Sequence, residues 1–388
     1  MFGVAVTQQV PPLVLHVIHH LVTGGMENGL VNLINHMPSS AYRHAVVCIE
    51  DFSEFRGRIQ RTDVEVVALQ RSRIGTARLR RSLFNLCRSW RPAIVHTRNL
   101  SGLDGLLPAW LAGVKIAIHG EHGFDVDNLR GERLKPRLLR RLHSPLVDRY
   151  IAVSSDLESF LTEQVGIRIG RITRICNGVD TTRFSPLGES AMECLPESFR
   201  GDAIVRIGTV GRLQPVKDQA TMLRAFAAML EQAPALRSRA RLLLIGDGPM
   251  RADLHALAAS LRITDYCWFS GAMSDLQKVF RTFDVFVLSS LNEGMSNSIL
   301  EAMSSGLPVL ASAVGGNTEL VRDGITGSLF DKGDQVGLAR MLLHYVNDPD
   351  LRRTRGASAR QRVVERYSLS KMVEGYRAIY DELLSPRK

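Results

Sequence analysis

The chain has 388 residues, 45% of them hydrophobic, and a formal net charge of +10. Its length is too great for one ordinary core and suits two domains. No apolar run approaches the roughly 20 residues that a membrane helix needs, and no signal peptide is recognisable. The five cysteines lack CxxC spacing, which argues against a disulfide framework or a zinc site. We therefore expect a cytoplasmic globular protein.

The positive charge is concentrated in two segments. Residues 71–91 hold seven arginines and no acid, and residues 130–149 hold seven basic residues and two acids. In the second segment Leu134, Leu138 and Leu142 are spaced at i, i+4 and i+8 among arginines and lysines. This pattern is typical of a helix on an anionic membrane, and equally of a packed helix whose outer face is charged.

From residue 13 onward, strand-like runs alternate with helical segments. The strand-like runs of the first half are LVLHVI, HAVVCI, VEVVAL, AIVHT, KIAIHG, RYIAVS and RITRIC. Such alternation predicts a parallel sheet covered on both faces. Between residues 177 and 201 the pattern breaks into Gly-, Pro- and Ser-containing sequence, which predicts a domain boundary.

The second half repeats the alternation. AIVRIGTV, LLLIGDGP, a strand near residues 266–270 and DVFVL are each followed by a helical segment, and the chain is mostly helical after residue 331, with a break at 347–349. The predicted fold class is therefore α/β, with two doubly wound, Rossmann-like parallel-sheet domains.

The most informative stretch follows DVFVL and reads EGMSNSILEAMSSGLPVLASAVGGN. Ser296 or Asn297 can cap a helix there, and the free N–H groups at its start would attract phosphate. Glu293 and Glu301 flank that start, where carboxylates accept hydrogen bonds from hydroxyl groups. An anion site between two hydroxyl acceptors indicates a nucleoside-diphosphate sugar as the ligand.

This stretch resembles the E-x7-E region of GT-B glycosyltransferases of family 4, also called group 1, including the trailing GLPV-x-A and VGGN. The resemblance covers nearly the whole chain. It implies that Glu293 contacts the donor sugar and Glu301 the ribose. Met295 and Ser296 stand where the family usually has Phe-Gly, which changes the expected sugar pocket.

The resemblance also implies the GT-B arrangement, in which two domains face a cleft. We expect an acceptor-side domain, a nucleotide-sugar domain and a last helix that returns to the first domain, at residues 1–179, 180–370 and 371–388. NGVD at Asn177 is similar to the family's interdomain element, although Cys176 stands where proline is usual.

Two cations follow the first strand of the second half. Arg212 and Lys217 lie in GTVGRLQPVKD, where side chains of a doubly wound domain line the ligand crevice. Exposed loop charges would give the same pattern. The segment is similar to the family's donor-phosphate loop, G-R-L-x-x-x-K-D. This implies that fixed positive charge, instead of a metal, stabilises the leaving diphosphate.

Two glycine-containing loops also follow strands. Gly24 and Gly25 can bring backbone N–H groups close to a phosphate, or simply form a turn; the resemblance places this loop near the donor. Gly246 and Asp247 lie in GDGP, which the resemblance places beside the base pocket. Arg251 replaces the third glycine of a dinucleotide fingerprint, which argues against a NAD site.

His122 follows a strand in IHGEHGFD. A loop histidine usually has a structural role, but the family places a histidine or an acid here against the donor sugar. Asp125 and Asp127 form a DxD, the metal signature of the other large transferase fold. Because every other motif belongs to the metal-free fold, we interpret them as acceptor contacts or solvated loop residues, and expect neither metal nor cofactor.

The predicted function is that of a retaining, metal-independent glycosyltransferase that moves a sugar from a nucleotide-diphosphate sugar to a glycan or lipid-linked acceptor. The predicted catalytic residues are His122, Glu293, Arg212 and Lys217. The predicted donor-binding residues are Gly24, Gly25, Arg212, Lys217, Gly246, Asp247, Glu293, Gly294, Met295, Ser296, Asn297, Ser298 and Glu301.

Within the family the chain most resembles enzymes of bacterial exopolysaccharide clusters, including those that accompany exosortase (PEP-CTERM) systems. This implies polysaccharide synthesis. The basic helix is consistent with a lipid-linked acceptor and with peripheral contact to an anionic inner membrane face, and we expect no nucleic-acid partner. One alternative is a sugar-nucleotide epimerase or hydrolase on the same fold, which would need no acceptor. Another is a non-enzymatic binder of anionic lipid or nucleic acid, whose binding would depend on salt.

Overall fold

A computed structural model describes residues 10–123 and 132–386, so Asp125 and Asp127 lie outside the described residues. The chain divides into two compact units. Unit 1 comprises Met1–Val153, Leu157–Ile175 and Met372–Lys388, and unit 2 comprises Ser154–Asp156 and Cys176–Lys371.

The sheet of unit 1 has seven parallel strands in the order β3-β2-β1-β4-β5-β6-β7. The strands are β1 (Leu13–Ile18), β2 (Arg43–Cys48), β3 (Glu65–Ala68), β4 (Ile94–Arg98), β5 (Ile116–Glu121), β6 (Arg149–Ala152) and β7 (Ile172–Arg174). The central strands are almost wholly buried, because helices cover both faces of a doubly wound sheet.

The sheet of unit 2 has six parallel strands in the order β10-β9-β8-β11-β12-β13. The strands are β8 (Val205–Val210), β9 (Ala240–Ile245), β10 (Cys267–Gly271), β11 (Val285–Leu288), β12 (Val309–Ser312) and β13 (Gly327–Phe330). The sequence analysis did not identify β12 and β13. Both adjoin residues that indicate a loop, since β12 follows Pro308 and β13 begins at Gly327.

The first helices are α1 (Gly25–His36), α2 (Arg71–Trp90), α3 (Asn99–Gly102), α4 (Leu106–Leu111), α5 (Leu134–His143), α6 (Ser155–Ser159) and α7 (Gln219–Gln232). They are followed by α8 (Arg251–Ser260), α9 (Leu276–Phe280), α10 (Asn297–Ser304), α11 (Asn317–Leu320), α12 (Gln335–Asn347), α13 (Pro349–Arg366) and α14 (Leu369–Leu384). None of the helices in the described ranges is long and apolar enough to span a membrane.

Local sequence explains where α13 begins. Asp348 caps α13 by accepting a hydrogen bond from the Leu351 amide, and Pro349 follows in the first helical position. The predicted break at NDPD is therefore confirmed.

One buried core of unit 2 packs α7 and α12 on the sheet through residues such as Phe226 and Tyr345.

The predicted α/β class with two parallel-sheet units is confirmed. The division falls between Ile175 and Cys176, four residues before the predicted boundary, and the chain rejoins unit 1 at Met372. In each sheet the strand order reverses next to the first strand, between β1 and β4 and between β8 and β11. Loops diverge at such points and leave room for ligands.

Candidate functional site

All six strands of the unit 2 sheet are parallel and end at the same carboxyl edge, and four of the loops that follow them form the candidate site. They follow β8, β9, β11 and β12. Since β8 pairs with both β9 and β11, and β11 also pairs with β12, these loops are neighbours around the reversal of strand order. This edge is where doubly wound domains bind ligands.

The loop after β8 is held against the loop after β9. The Leu213 amide donates to the Asp247 carbonyl oxygen over 2.9 Å. Gly246 has a φ of +140° and lies against the Gly211 carbonyl, so a side chain there would collide with backbone. Glycine thus permits the close approach of the two loops, and the Asp247 side chain is exposed beside them.

An ion pair joins the loops after β8 and β11. Lys217 Nζ lies 2.6 Å from Glu293 Oε1, and Ser290 Oγ donates to the same oxygen over 2.6 Å. The Glu293 side chain is 10% exposed and the Lys217 side chain 21% exposed, so water screens the pair weakly. The structure thus brings together Lys217, which was predicted to bind the diphosphate, and Glu293, which was predicted to contact the donor sugar.

Hydrogen bonds to the carbonyl groups of the two residues that flank Lys217 hold its backbone in place. The Leu291 amide donates to the Val216 carbonyl over 2.8 Å, and Ser289 Oγ donates to the Asp218 carbonyl over 2.7 Å. Asp218 adopts the left-handed conformation and caps α7 through its side chain. The ammonium group therefore projects from a backbone that is held on both sides, which favours recognition of a fixed anion.

The start of α10 is capped and clamped. Ser296 is the N-cap, and its side chain accepts from the Ile299 amide. Asn177 Nδ2 donates to Asn297 Oδ1 over 2.9 Å and to the Met295 carbonyl over 3.3 Å. The sequence analysis named Asn177 only as part of an interdomain element, yet in the structure it holds the loop that begins α10.

Glycines after β12 complete the site. Gly315 has a φ of +47° and lies against the Glu293 carbonyl, and Gly316 lies against Gly294 in the same way. The Gly316 amide donates to the Glu293 carbonyl over 3.3 Å. The glycines of VGGN, a motif with no role assigned from the sequence, therefore admit the backbone of the loop that carries Glu293.

The remaining predicted residues of unit 2 lie on the same elements. Arg212 is exposed on the loop after β8. Ser298 is half-buried, with its Oγ 3.1 Å from Ser296 Oγ. Glu301 is half-buried in the second turn of α10. This edge therefore carries cations, carboxylates and a helix N-terminus, the groups that bind phosphates and hydroxyls.

Gly24 and Gly25 belong to unit 1 and begin α1. Gly24 is the N-cap, with extended backbone that any residue could adopt. The carboxylate of Glu27 lies against its α-carbon, so a side chain at Gly24 would displace that carboxylate. A phosphate at this helix start would have to move Glu27, a competitor that the sequence analysis did not foresee.

His122 directly follows β5. Its amide donates to Asn99 Oδ1 over 2.8 Å, and neither ring nitrogen has a hydrogen-bond partner within the described ranges. Burial, and next the Arg98 guanidinium, lower the pKa of His122 to about 3. The ring is therefore neutral near neutral pH, when it can offer hydrogen bonds but cannot act as an acid.

A buried polar network underlies His122. His16 Nε2 lies 2.9 Å from His44 Nδ1, and Arg98 Nη1 lies 3.0 Å from His16 Nδ1. Burial lowers the pKa of His16 and of His96 well below the ordinary value. The sequence analysis missed this network, because each member is separately part of an apolar strand.

Two α/β units with parallel sheets, the second carrying cations and carboxylates around a helix start, define a GT-B glycosyltransferase architecture. The fold is the same as that of Anabaena HepE, solved in complex with UDP and glucose: the TM-score is 0.82 over 96% of this chain and all of that chain, at 20% identity. The predicted GT-B fold is confirmed.

Family models match both halves of the chain. The model described as Glycosyltransferase Family 4 matches residues 23–183, and the model described as Glycosyl transferases group 1 matches residues 203–362. EpsF of Bacillus subtilis (strain 168) is 30% identical over 77% of this chain and 78% of its own. The chain belongs to this family of glycosyltransferases.

A further relative comes from Escherichia coli and is 26% identical over 78% of this chain and 79% of its own. Its name is UDP-Gal:alpha-D-GlcNAc-diphosphoundecaprenol alpha-1,3-galactosyltransferase.

Proposed function

We propose that this chain transfers a sugar, with retention of configuration and without a metal, from a nucleoside-diphosphate sugar to a glycan or lipid-linked acceptor. The observation that carries the proposal is the Lys217–Glu293 pair beside the capped start of α10. The E. coli relative is named for a UDP-sugar donor and a diphospholipid-linked acceptor, which supports both substrate classes.

In the proposed reaction the acceptor oxygen bonds to the anomeric carbon and the bond from that carbon to the diphosphate breaks. The acceptor proton passes to the departing diphosphate on the same face. Lys217 and Arg212 stabilise the charge that develops on the diphosphate. Glu293 and Glu301 accept hydrogen bonds from sugar and ribose hydroxyls, and neutral His122 contacts the reacting sugar.

We also propose that the enzyme works in the cytoplasm, at the inner membrane face, in the synthesis of an exopolysaccharide. Five free cysteines in the chain suit a reducing compartment. A lipid-linked acceptor would require the enzyme to approach a membrane surface.

A thermal-shift screen against UDP-, GDP- and ADP-sugars should identify the donor, because a ligand that binds only the folded state raises the melting temperature. Lys217→Ala should then lower kcat/KM for that donor about 100-fold or more. Lys278→Ala is the matched control, since Lys278 forms an exposed pair with Glu189 at 2.8 Å. Unchanged turnover by a folded Lys217→Ala variant would refute the assigned role.

Product analysis separates transfer from the same-fold alternatives. We expect glycosylated acceptor with the donor's anomeric configuration, measured by NMR coupling constants. Free sugar or an epimerised nucleotide sugar, formed at equal rates with and without acceptor, would instead identify a hydrolase or an epimerase.

A further inference from the structure

We infer that one surface of unit 1, the α2–α4–α5 face, docks onto an anionic lipid bilayer. The name denotes the exposed side chains of those three helices. The inference rests on the proposed function, because it specifies how the enzyme would approach a lipid-linked acceptor.

The leucine stripe of α5 faces solvent. Leu134, Leu138 and Leu142 are 69%, 62% and 73% exposed, although a helix packed by its apolar side would bury them. The opposite side of α5 is fixed to unit 1. Arg140 donates to both carboxylate oxygens of buried Glu121, over 2.5 and 3.0 Å.

Cations flank the stripe on both edges. At about 100° per residue the three leucines span roughly 80° of the helix circumference, and Arg141 and Lys135 lie roughly 20° beyond its two edges. Both cations are exposed, and α5 contains no acidic residue. A leucine stripe with an exposed cation beside each edge is the pattern of a helix that lies in a membrane interface.

The neighbouring helices extend this surface. Right-handed connections from β4 to β5 and from β5 to β6 place α4 and α5 on the same side of the sheet, and both contact the short 3-10 helix Ser144–Leu146. Trp110 and Leu111 are exposed on α4.

Helix α2 packs against α4 and adds further charge. Its exposed side chains include Arg78, Arg81 and Arg88, and no acid lies on this helix.

The composition of the face favours a bilayer over a protein partner. The exposed apolar side chains are Leu and Trp, which insert at the boundary between headgroups and acyl chains, and the charges around them on these helices are all positive. A bilayer supplies negative charge over a whole plane, so that it can match separated basic helices at the same time.

Cosedimentation with vesicles tests the inference. Wild-type chain should bind vesicles of phosphatidylcholine mixed with phosphatidylglycerol more tightly than vesicles of phosphatidylcholine alone, and salt should weaken the binding. The double variant Leu138→Ser/Leu142→Ser should lower the partition coefficient about tenfold. The double variant Lys135→Gln/Arg141→Gln should lower it by a similar factor at low salt.

Matched controls lie in unit 2. Leu187→Ser replaces another exposed leucine, and Arg224→Gln/Arg340→Gln replaces two exposed arginines; both should bind vesicles as the wild type does. Equal binding to the two vesicle types, or leucine variants that bind like Leu187→Ser, would overturn the inference. So would leucine variants that change only self-association in light scattering, since the face would then join two copies.

Vesicle binding is measured without a sugar donor, so it can fail independently of catalysis. A chain that turns over nucleotide sugar but ignores anionic vesicles would refute this inference and leave the proposed function standing. Vesicle binding by a chain that turns over no nucleotide sugar would refute the proposed function and leave this inference standing.

Discussion

At the scale of single residues, Glu293 has two tasks. Its Oε1 accepts hydrogen bonds from Lys217 and Ser290, and it thereby balances a partly buried cation and ties two loops together. A diphosphate and Glu293 would compete for the same ammonium group. Glu293, which accepts hydrogen bonds from the sugar in our proposal, therefore also lowers the affinity of the site for phosphate.

Glu293→Gln should therefore separate nucleotide binding from turnover. The neutral amide releases Lys217, so the affinity for UDP, or for whichever nucleoside diphosphate the donor screen selects, should stay equal or rise. kcat should fall about 100-fold. Isothermal titration and steady-state kinetics measure the two effects.

Glu189→Gln, in the exposed pair with Lys278, is the control and should change neither quantity. Loss of nucleotide affinity in a Glu293→Gln variant that melts like the wild type would contradict the competition between carboxylate and phosphate.

At the scale of elements, the loop before α10 is held in place by contacts from several parts of unit 2. Asn177 bonds to it from one side, and Gly315 and Gly316 pack under its backbone from another. A loop held by several elements has little freedom, so Glu293 and the helix start are preorganised for a ligand. Glycine at residue 315 is required twice, for its positive φ and for the absence of a side chain.

Gly315→Ala should show both requirements. Positive φ costs an alanine about 1–2 kcal/mol, and the collision with the Glu293 carbonyl should raise the total loss in free energy of unfolding to about 3 kcal/mol or more. Gly324→Ala is the matched control, because Gly324 has a φ of +73° and open space around it. Denaturant unfolding of the two variants gives the comparison, and equal losses would show that the collision costs nothing.

At the scale of the whole molecule, the two units bury different kinds of polar group. His16, His44, His96 and His119 are buried in unit 1. In the described part of unit 2 the histidines, His255 and His344, are exposed. Burial, and next the Arg61 cation, lower the pKa of His44 to about 3. Burial also lowers the pKa of His16 and His96, so unit 1 folds near neutral pH with uncharged imidazoles at these three residues.

Acidification should unfold unit 1 before unit 2. Between pH 6.5, where an unfolded histidine takes up a proton, and about pH 3, where folded His44 does, the unfolded state binds more protons. Stability is therefore full above pH 6.5 and falls with pH by about 1.4 kcal/mol per unit for each such histidine. In calorimetry from pH 7.5 to 5, the unfolding transition of unit 1 should move to lower temperature as the pH falls and separate from that of unit 2.

Two variants check this assignment. His44→Asn should lower the number of protons taken up on unfolding by about one. His36→Asn, at an exposed position of α1, should leave that number unchanged. If both units respond equally to pH, the buried histidines are not the cause.

The sequence by itself determined the parallel α/β class of both units, the break between them and the loop that begins α10, because these follow from strand and helix periodicity and from caps and glycines adjacent in the chain. Only the tertiary structure decided that Lys217 pairs with Glu293, that Asn177 clamps Asn297, and which side of α5 faces outward. The paired side chains are 76 and 120 residues apart. Such pairings depend on strand order, which local periodicity does not encode.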